Sequence, residues 1–534
     1  DVERWETTTK GESIATGTTD DDELLIYNGV DSCVNARILA PLIEIAEFNG
    51  AFRPLPEWAR PASWSSDKPF NLHELDHATQ DMCVNMHKNG VWVDQEARSK
   101  LENKYTVSVE ARFKNLQSLV QSEGLRRLSE AAASEDELNP GSADQIRTLL
   151  YSRWKLGIPP QMDSKDFYTE SGMPGTGDAV LRSHLASGLL SPEQEAFVRE
   201  LRLYRREKNK ILGTVLIPMR RRDMDPKKGL VHEDGRVRSG WNSHVTSVGR
   251  LSSSGPNLQN IGNRKGQGPL KTIFAAQPGP VLVGADLDQA HLRIIANYWK
   301  IPLLVECFNE GKDPHNTLAY TVFGDKFKSA SGWGPDGFSL YKKPGKGDAK
   351  SMRDIAKTFR YASIYAANPA TVWQVLTSTE TDDSRLPYVG MTLREVRYIH
   401  DRWMESEPEW GQAWDAMMNT FRHQNYMEEP IMGRRSGPLS DGKLNEVVNF
   451  PILAAEGSVM RLAEHAVREA FPFQKWGPGT GMIHQCHDSI AVEVPEAIGE
   501  ESLKLLEECM TVSIPGWDVV MSAEGGMGKT LKDV

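Results

Sequence analysis

Residues 352–366 read MRDIAKTFRYASIYA, and the reading of the whole chain turns on them. The spacing predicts a helix over Met352–Ala366 that carries Arg353, Lys357, Tyr361 and Tyr365, each four residues after the last. Four residues turn an α-helix by about 400°, so the row drifts only about 40° per step and keeps to one side. Two cations therefore precede two aromatic rings on a single stripe. Such a face suits a triphosphate at its charged end and a base or sugar at its aromatic end. A helix that packs both tyrosines in a core and leaves Arg353 and Lys357 in water fits the same spacing. The neighbouring segments have to separate the two.

Two acids flank the stripe in sequence. VLVGAD (Val281–Asp286) is a short apolar run ending in a carboxylate, the pattern of a buried strand. MIHQCHDSIAVEV (Met482–Val494) reads as strand, turn, strand with Asp488 at the turn. Acids commonly close turns, and neither means much alone. Brought to one sheet edge, Asp286 and Asp488 would bind two Mg²⁺ ions and clamp the attacking and leaving oxygens of an in-line phosphoryl displacement. Together with the stripe they supply what nucleotidyl transfer needs.

Composition sets outer limits. The chain has 534 residues, 39% hydrophobic and 25% charged, which describes a soluble globular protein of several subdomains. No apolar run is long enough to span a bilayer, so no membrane role is expected. Five scattered cysteines without metal-ligand spacing point to a reducing, cytoplasmic setting and no structural zinc. A net charge of −11 argues against a wholly basic surface but not against a local track such as RLYRREKNK (Arg202–Lys210). A solvated helix face is the plainer reading of that run. Residues 21–45 read as a helix, 51–72 as a Pro-rich extended linker, and His73 to about Leu212 as mainly helical. The Gly- and Lys-rich stretch Phe327–Lys350 reads as a mobile loop.

With these segments in order, the sequence resembles the family A, DNA polymerase I-like, DNA polymerases. DLDQAHLR (Asp286–Arg293), RDIAKTFRYASIYA (Arg353–Ala366) and CHDS (Cys486–Ser489) resemble the family's motifs A, B and C. TSVGRLSSSGPNLQNIG (Thr246–Gly262) is the most specific string, and NEGKDPHNTLAYTVFGD (Asn309–Asp325) resembles the segment whose histidine lies near the incoming phosphates. NGVWVD (Asn89–Asp94), LNPGSADQI (Leu138–Ile146) and RREKNKILGT (Arg205–Thr214) resemble thumb and palm segments.

The resemblance implies an α+β right-hand polymerase fold. Its parts would be a 3′–5′ exonuclease remnant at 1–50, a linker and entry segment at 51–94, a thumb at 95–215, a palm at 216–300 and 427–534, and fingers at 301–426. It implies that Asp286 and Asp488, with the carbonyl of Leu287, hold two Mg²⁺ ions, for which Mn²⁺ substitutes. Arg353, Lys357, His315 and Gln289 would meet the incoming nucleotide, with Lys357 protonating the leaving pyrophosphate. Tyr361, Tyr365 and His291 would surround its sugar and base. Thr246, Arg250, Asn257, Gln259, Arg293, Asn449 and His487 would touch the primer–template near its end, and Arg206, Lys210 and Thr214 would track phosphates from the thumb. Primer–template DNA and dNTPs are the implied partners of a monomer, with replisome or processivity factors besides.

Several positions depart from the family. His291 replaces a glutamate that acts as a steric gate against the 2′-hydroxyl and bonds the tyrosine aligned with Tyr365, so weaker deoxy-selectivity is expected. Ser489 replaces a glutamate after the motif C aspartate, and Glu493 or water is expected to take over its role. Leu453 replaces a glutamine that reads the minor groove, and Ala366 a glycine. Tyr361 is the variant that goes with acceptance of dideoxy terminators in this family.

YNGVDS (Tyr27–Ser32) resembles the third exonuclease motif, but Asp1-Val2-Glu3 lies too close to it to be the first. No exonuclease activity is expected. GGMGKT (Gly525–Thr530) imitates a phosphate-binding loop, yet Ala523 stands where its first glycine belongs. The rival readings are a single-subunit RNA polymerase, favoured by His291 and Ser489, and a catalytically inactive DNA clamp, disfavoured by Asp286, Asp488 and Lys357. The unusual motif residues suggest a bacteriophage source.

Overall fold

A computed structural model describes residues 42–48, 50–122, 138–160, 162–261, 268–332, 343–344, 347–378, 391–437, 439, 443–476 and 479–534. Most of the expected 21–45 helix, and the exonuclease-like Tyr27–Ser32, lie outside the described residues.

The first part of the chain contains α1 (Leu72–Asn89), β1 (Val91–Val93), α2 (Gln95–Gln121) and α3 (Pro192–Arg205). Short strands β2 (Arg236–Val237), β3 (Gly240–Asn242), β4 (Ser252–Ser254) and β5 (Phe274–Ala275) lead to β6 (Val281–Leu287). A helical region follows: α4 (Ala290–Tyr298), α5 (Pro302–Asn309), α6 (Pro314–Phe323), α7 (Asp348–Ser363), α8 (Pro369–Ser378), α9 (Leu393–Ser406) and α10 (Glu409–Gln424). The chain then returns through α11 (Leu444–Ala470), β7 (Gly481–Cys486), β8 (Ser489–Val494), α12 (Gly499–Met510) and β9 (Ala523–Gly528).

The sheet that positions the site has the antiparallel order β7-β8-β6-β9. β6 is buried throughout except at Asp286, as a central strand covered on both faces should be. Its register sets Asp286 opposite Ser489 on one side and Glu524 on the other. The Gly-rich GGMG segment is therefore edge strand rather than phosphate loop. α12 packs on β6 and β9, and α11 packs against α12 behind it. α2 and α3 enclose a separate core of Leu116, Ile146, Phe197, Leu201 and Tyr204.

Three expectations change. The Pro-rich stretch 51–72 is not an extended linker: Leu55, Ala59 and Phe70 join the main core. Phe327 is fully buried in the short helix Asp325–Ala330, so the insert begins as packed structure; 333–342 and 345–346 lie outside the described residues. α7 starts a turn early at Asp348 and ends at Ser363, leaving Tyr365 and Ala366 on a turn closed by Ala366 N–H donating to Ser363 O at 2.9 Å. No helix among the described residues is long and apolar enough to cross a membrane.

Candidate active site

The β7–β8 hairpin turns through His487, which adopts φ 56°, and Asp488. Leu287 N–H donates to Asp488 O at 2.9 Å, tying the end of β6 to that turn and bringing the two acids to one edge. Burial, and then the charges of Glu456 and Asp286, push the Asp488 carboxyl up to about 6. Partial desolvation raises that of Asp286 too, although Asp286 is the exposed residue of β6, against the pull of Lys271 and a hydrogen bond from Ser489. A pair whose ionised forms are mutually unfavourable is a site short of positive charge. No closed cage of three or more His, Cys, Asp or Glu exists among the described residues. The two carboxylates at this edge are oxygen donors of the kind that hold Mg²⁺ together with substrate phosphates. Glu493 does not replace the missing motif C acid. It lies four residues along β8, accepts from Arg236 at 2.9 Å and from Gln277 N–H at 2.8 Å, and is fully buried.

The α7 stripe faces the same region. Burial followed by the negative charges of Asp488 and Asp288 pushes the Tyr361 hydroxyl up to about 12. The opposite face of α7 buries Ala356, Phe359 and Arg360, and Arg360 pairs with Glu407 at 3.0 Å. That leaves Arg353 and Lys357 off the core. Arg353 donates to Asp313 at 2.6 Å, and the same carboxylate caps α6 through the N–H groups of His315 and Asn316. Lys357 is exposed and forms no ion pair among the described residues, and partial desolvation plus the neighbouring Arg353 charge lower its pKa. His315 is 1% exposed, with its ring 5.5 Å from that of Tyr361. Neither of its ring nitrogens has a partner among the described residues, and burial, then Arg360, Arg353 and Lys357, hold its pKa down to about 2. It is a neutral imidazole beside three cations, Arg360, Arg353 and Lys357.

Tyr365 Oη lies 2.6 Å from His291 Nδ1, the pairing expected of those positions. The sequence reading missed the group behind it: Glu456, on α11, is 2% exposed and touches both His291 and Arg250. A lone acid in the apolar run ILAAEGSVM (Ile452–Met460) was its only signal. Asn449, Leu453 and Glu456 share one side of α11, spaced four and three apart.

The remaining residues divide. Gln289 caps α4 in a left-handed conformation (φ 51°), and its Oε1 is buried without a partner among the described residues. Gln259 donates to Leu251 O and to Gln485 beneath the hairpin; Thr246 donates to Arg250 O; Asn257 caps the turn Leu258–Asn260. These three shape the loop that carries Arg250. Arg293 is spent internally, on Asp288, Val520 O and the face of Phe308. In the basic run, Arg202 pairs with Asp178 and Arg205 donates to Pro140 O and Thr176 O, so those two are structural. Arg206 is half-buried, Lys210 and Thr214 are exposed, and Thr214 bonds Asn209 O within π-helical turns over Arg206–Leu216.

Against known proteins, the model of the family "DNA polymerase family A" matches residues 110–533. The thermostable DNA polymerase I of Thermus filiformis is 28% identical over 402 residues, covering 73% of this chain and 41% of that protein. That of Thermus thermophilus is 27% identical, covering 86% and 47%, and DNA polymerase I of Aquifex aeolicus 26%, covering 77% and 61%. The chain thus spans less than two thirds of the length of these relatives. The fold of the POL domain of Pol1 from M. smegmatis, solved in complex with DNA primer-template and dNTP, superposes with a TM-score of 0.65 at 20% identity, over 86% of this chain and 70% of that one. The α+β polymerase fold is shared, and the match over 110–533 shows that the chain belongs to DNA polymerase family A.

Proposed function

We propose that the chain extends a primer 3′ end on a DNA template, joining dNTPs by nucleotidyl transfer. The observation that carries this reading is the meeting of two acid-bearing segments, through Leu287 N–H and Asp488 O, beside a helix face carrying Arg353, Lys357 and Tyr361. Asp286, Asp488 and the Leu287 carbonyl hold Mg²⁺, with Mn²⁺ as a substitute; when bound, the ions stabilise the attacking and leaving oxygens of the displacement. Arg353 and Lys357 take the triphosphate. Arg353 is already oriented by Asp313, and the lowered pKa of Lys357 suits it to protonate the leaving pyrophosphate. The neutral His315 backs the Tyr361 ring, so the nucleotide's base and sugar have a supported platform.

On this reading 95–215 is the thumb, 216–300 and 427–534 the palm and 301–426 the fingers, and the exposed Lys210 and Thr214 follow template phosphates. The test is primer extension by the chain with each dNTP, NTP and ddNTP in turn, with Mg²⁺ and then with EDTA. Template-directed addition of dNTPs that EDTA abolishes is the expected result. Unprimed synthesis from NTPs would instead favour an RNA polymerase, and binding without extension a clamp.

A further inference from the structure

Glu456 belongs to none of the motifs, yet two distant pieces of chain, the loop of Arg250 and the helix of His291, meet on its carboxylate. Its Oε2 accepts from Arg250 Nη2 at 2.7 Å and also contacts His291 Nε2, while Oε1 is buried without a partner among the described residues. Gly457 makes the approach possible: a Cβ there would stand 2.5 Å from Val248 O, so only glycine lets α11 lie against the loop that delivers Arg250. An ionised carboxylate accepts and cannot donate, and the guanidinium only donates. His291 Nε2 must therefore carry the proton toward Glu456. The 3.1 Å approach of Arg250 Nη2 to that nitrogen is two donors sharing one acceptor. Nδ1, 2.6 Å from the Tyr365 hydroxyl, is the nitrogen that remains to pair with it.

We propose that Glu456 is a positioning residue for sugar selectivity, fixing the tautomer and orientation of His291 and, through it, the Tyr365 hydroxyl. This rests on the polymerase reading above. With the triphosphate at Arg353 and Lys357, the metals at Asp286 and Asp488 and the base at the tyrosines, the sugar lies between phosphate and base, against the His291–Tyr365 pair. A carboxylate on α11 thus acts on the sugar wall through an imidazole on α4. Without it the ring is free to flip and exchange tautomers, and the wall facing the 2′ position loosens.

Single-nucleotide incorporation by the full chain, with kcat and KM for a dNTP and its matching NTP, tests this in E456Q, E456A and the transposed double variant H291E/E456A. The NTP/dNTP ratio of kcat/KM should rise about tenfold in E456A, mainly through a lower KM for the NTP, and less in E456Q, whose amide oxygen still accepts from Nε2. The double variant should bring the ratio back to within about threefold of the starting protein. A merely structural glutamate would lower both substrates in parallel and leave the ratio unmoved; that result overturns the proposal. If E456A does not fold, E456L, which keeps most of the volume and removes the acceptor, decides in its place, an unchanged ratio overturning the proposal. Absence of dNTP incorporation by the unmodified chain would instead remove the polymerase reading.

Discussion

Leu287 and Asp488 are joined backbone to backbone, N–H to O at 2.9 Å, so the two acid-bearing strands cannot separate without losing that bond. Among the described residues the Asp488 side chain has no hydrogen bond or ion pair to another side chain, so its substitution leaves the backbone tie in place. Asp488→Asn should therefore fold and bind primer–template normally while primer extension falls by on the order of 10³-fold, the loss of one metal-holding charge. Extension rates and fluorescence anisotropy with labelled DNA check the two halves separately. Loss of DNA binding in parallel with activity would point to a structural role instead.

Ala366 adopts φ 58°, in the left-handed region that favours glycine. An L-residue there costs about 1–2 kcal/mol, whereas a glycine adds roughly 0.4–1 kcal/mol of chain entropy to the unfolded state. The difference favours glycine, so Ala366→Gly should stabilise the protein by about 0.5–1 kcal/mol, read from urea unfolding. The turn it relaxes carries Tyr365, so the same variant tests whether that strain holds the tyrosine against His291. A loss of NTP discrimination alongside the gain in stability is the expected signature.

How much of this was legible in the sequence depends on the range of each signal. The acid-bearing strands announced themselves by local hydrophobic runs, and the stripe by spacing. The partners that complete the site did not, because they meet across long sequence gaps. Glu456 reaches Arg250 over 206 positions and Asp313 reaches Arg353 over 40. Neither acid has a periodic neighbour to mark it. Arg360 sits one residue before Tyr361 and reads as one more cation, yet it is the fully buried one. Helical phase places it on the core face, and the pairing with Glu407 makes that burial tolerable. Residues 51–72 misled for the opposite reason. Prolines signalled an open linker, while Leu55 and Phe70, too few to form a pattern, anchor the segment to the core.

Buried neutral histidines make the fold sensitive to acid. His184 is 3% exposed beside Tyr151, and burial holds its pKa down to about 4. Below pH 6.5 the unfolded chain binds a proton that the folded chain refuses, so stability is full above that pH and lost as pH falls. For a folded pKa near 4, the loss between pH 6.5 and 5 is about 2 kcal/mol. His184→Gln keeps a neutral polar group next to Tyr151 and should remove that part of the decline. Urea unfolding at pH 8 and pH 5 measures it, and an equal decline in both proteins would mean the imidazole is not excluded from protonation.

Tyr361 offers the sharpest test of how the α7 stripe meets a sugar. Its ring is held at 45° to that of His315, and burial with the Asp488 and Asp288 charges keeps the hydroxyl protonated at any working pH. The group is thus a fixed hydrogen-bond donor near the acid pair. A dideoxynucleotide lacks the 3′-hydroxyl that would otherwise supply a polar contact there, and the tyrosine can make up for it. Tyr361→Phe preserves the ring contact with His315 and deletes only this donor, so dNTP incorporation should persist while terminator incorporation falls by on the order of 10²-fold. A competition assay of ddNTP against dNTP on one template measures the ratio directly. Equal terminator use by both proteins would show that the hydroxyl does not reach the sugar, and would shift the basis of sugar choice to the His291–Tyr365 pair alone.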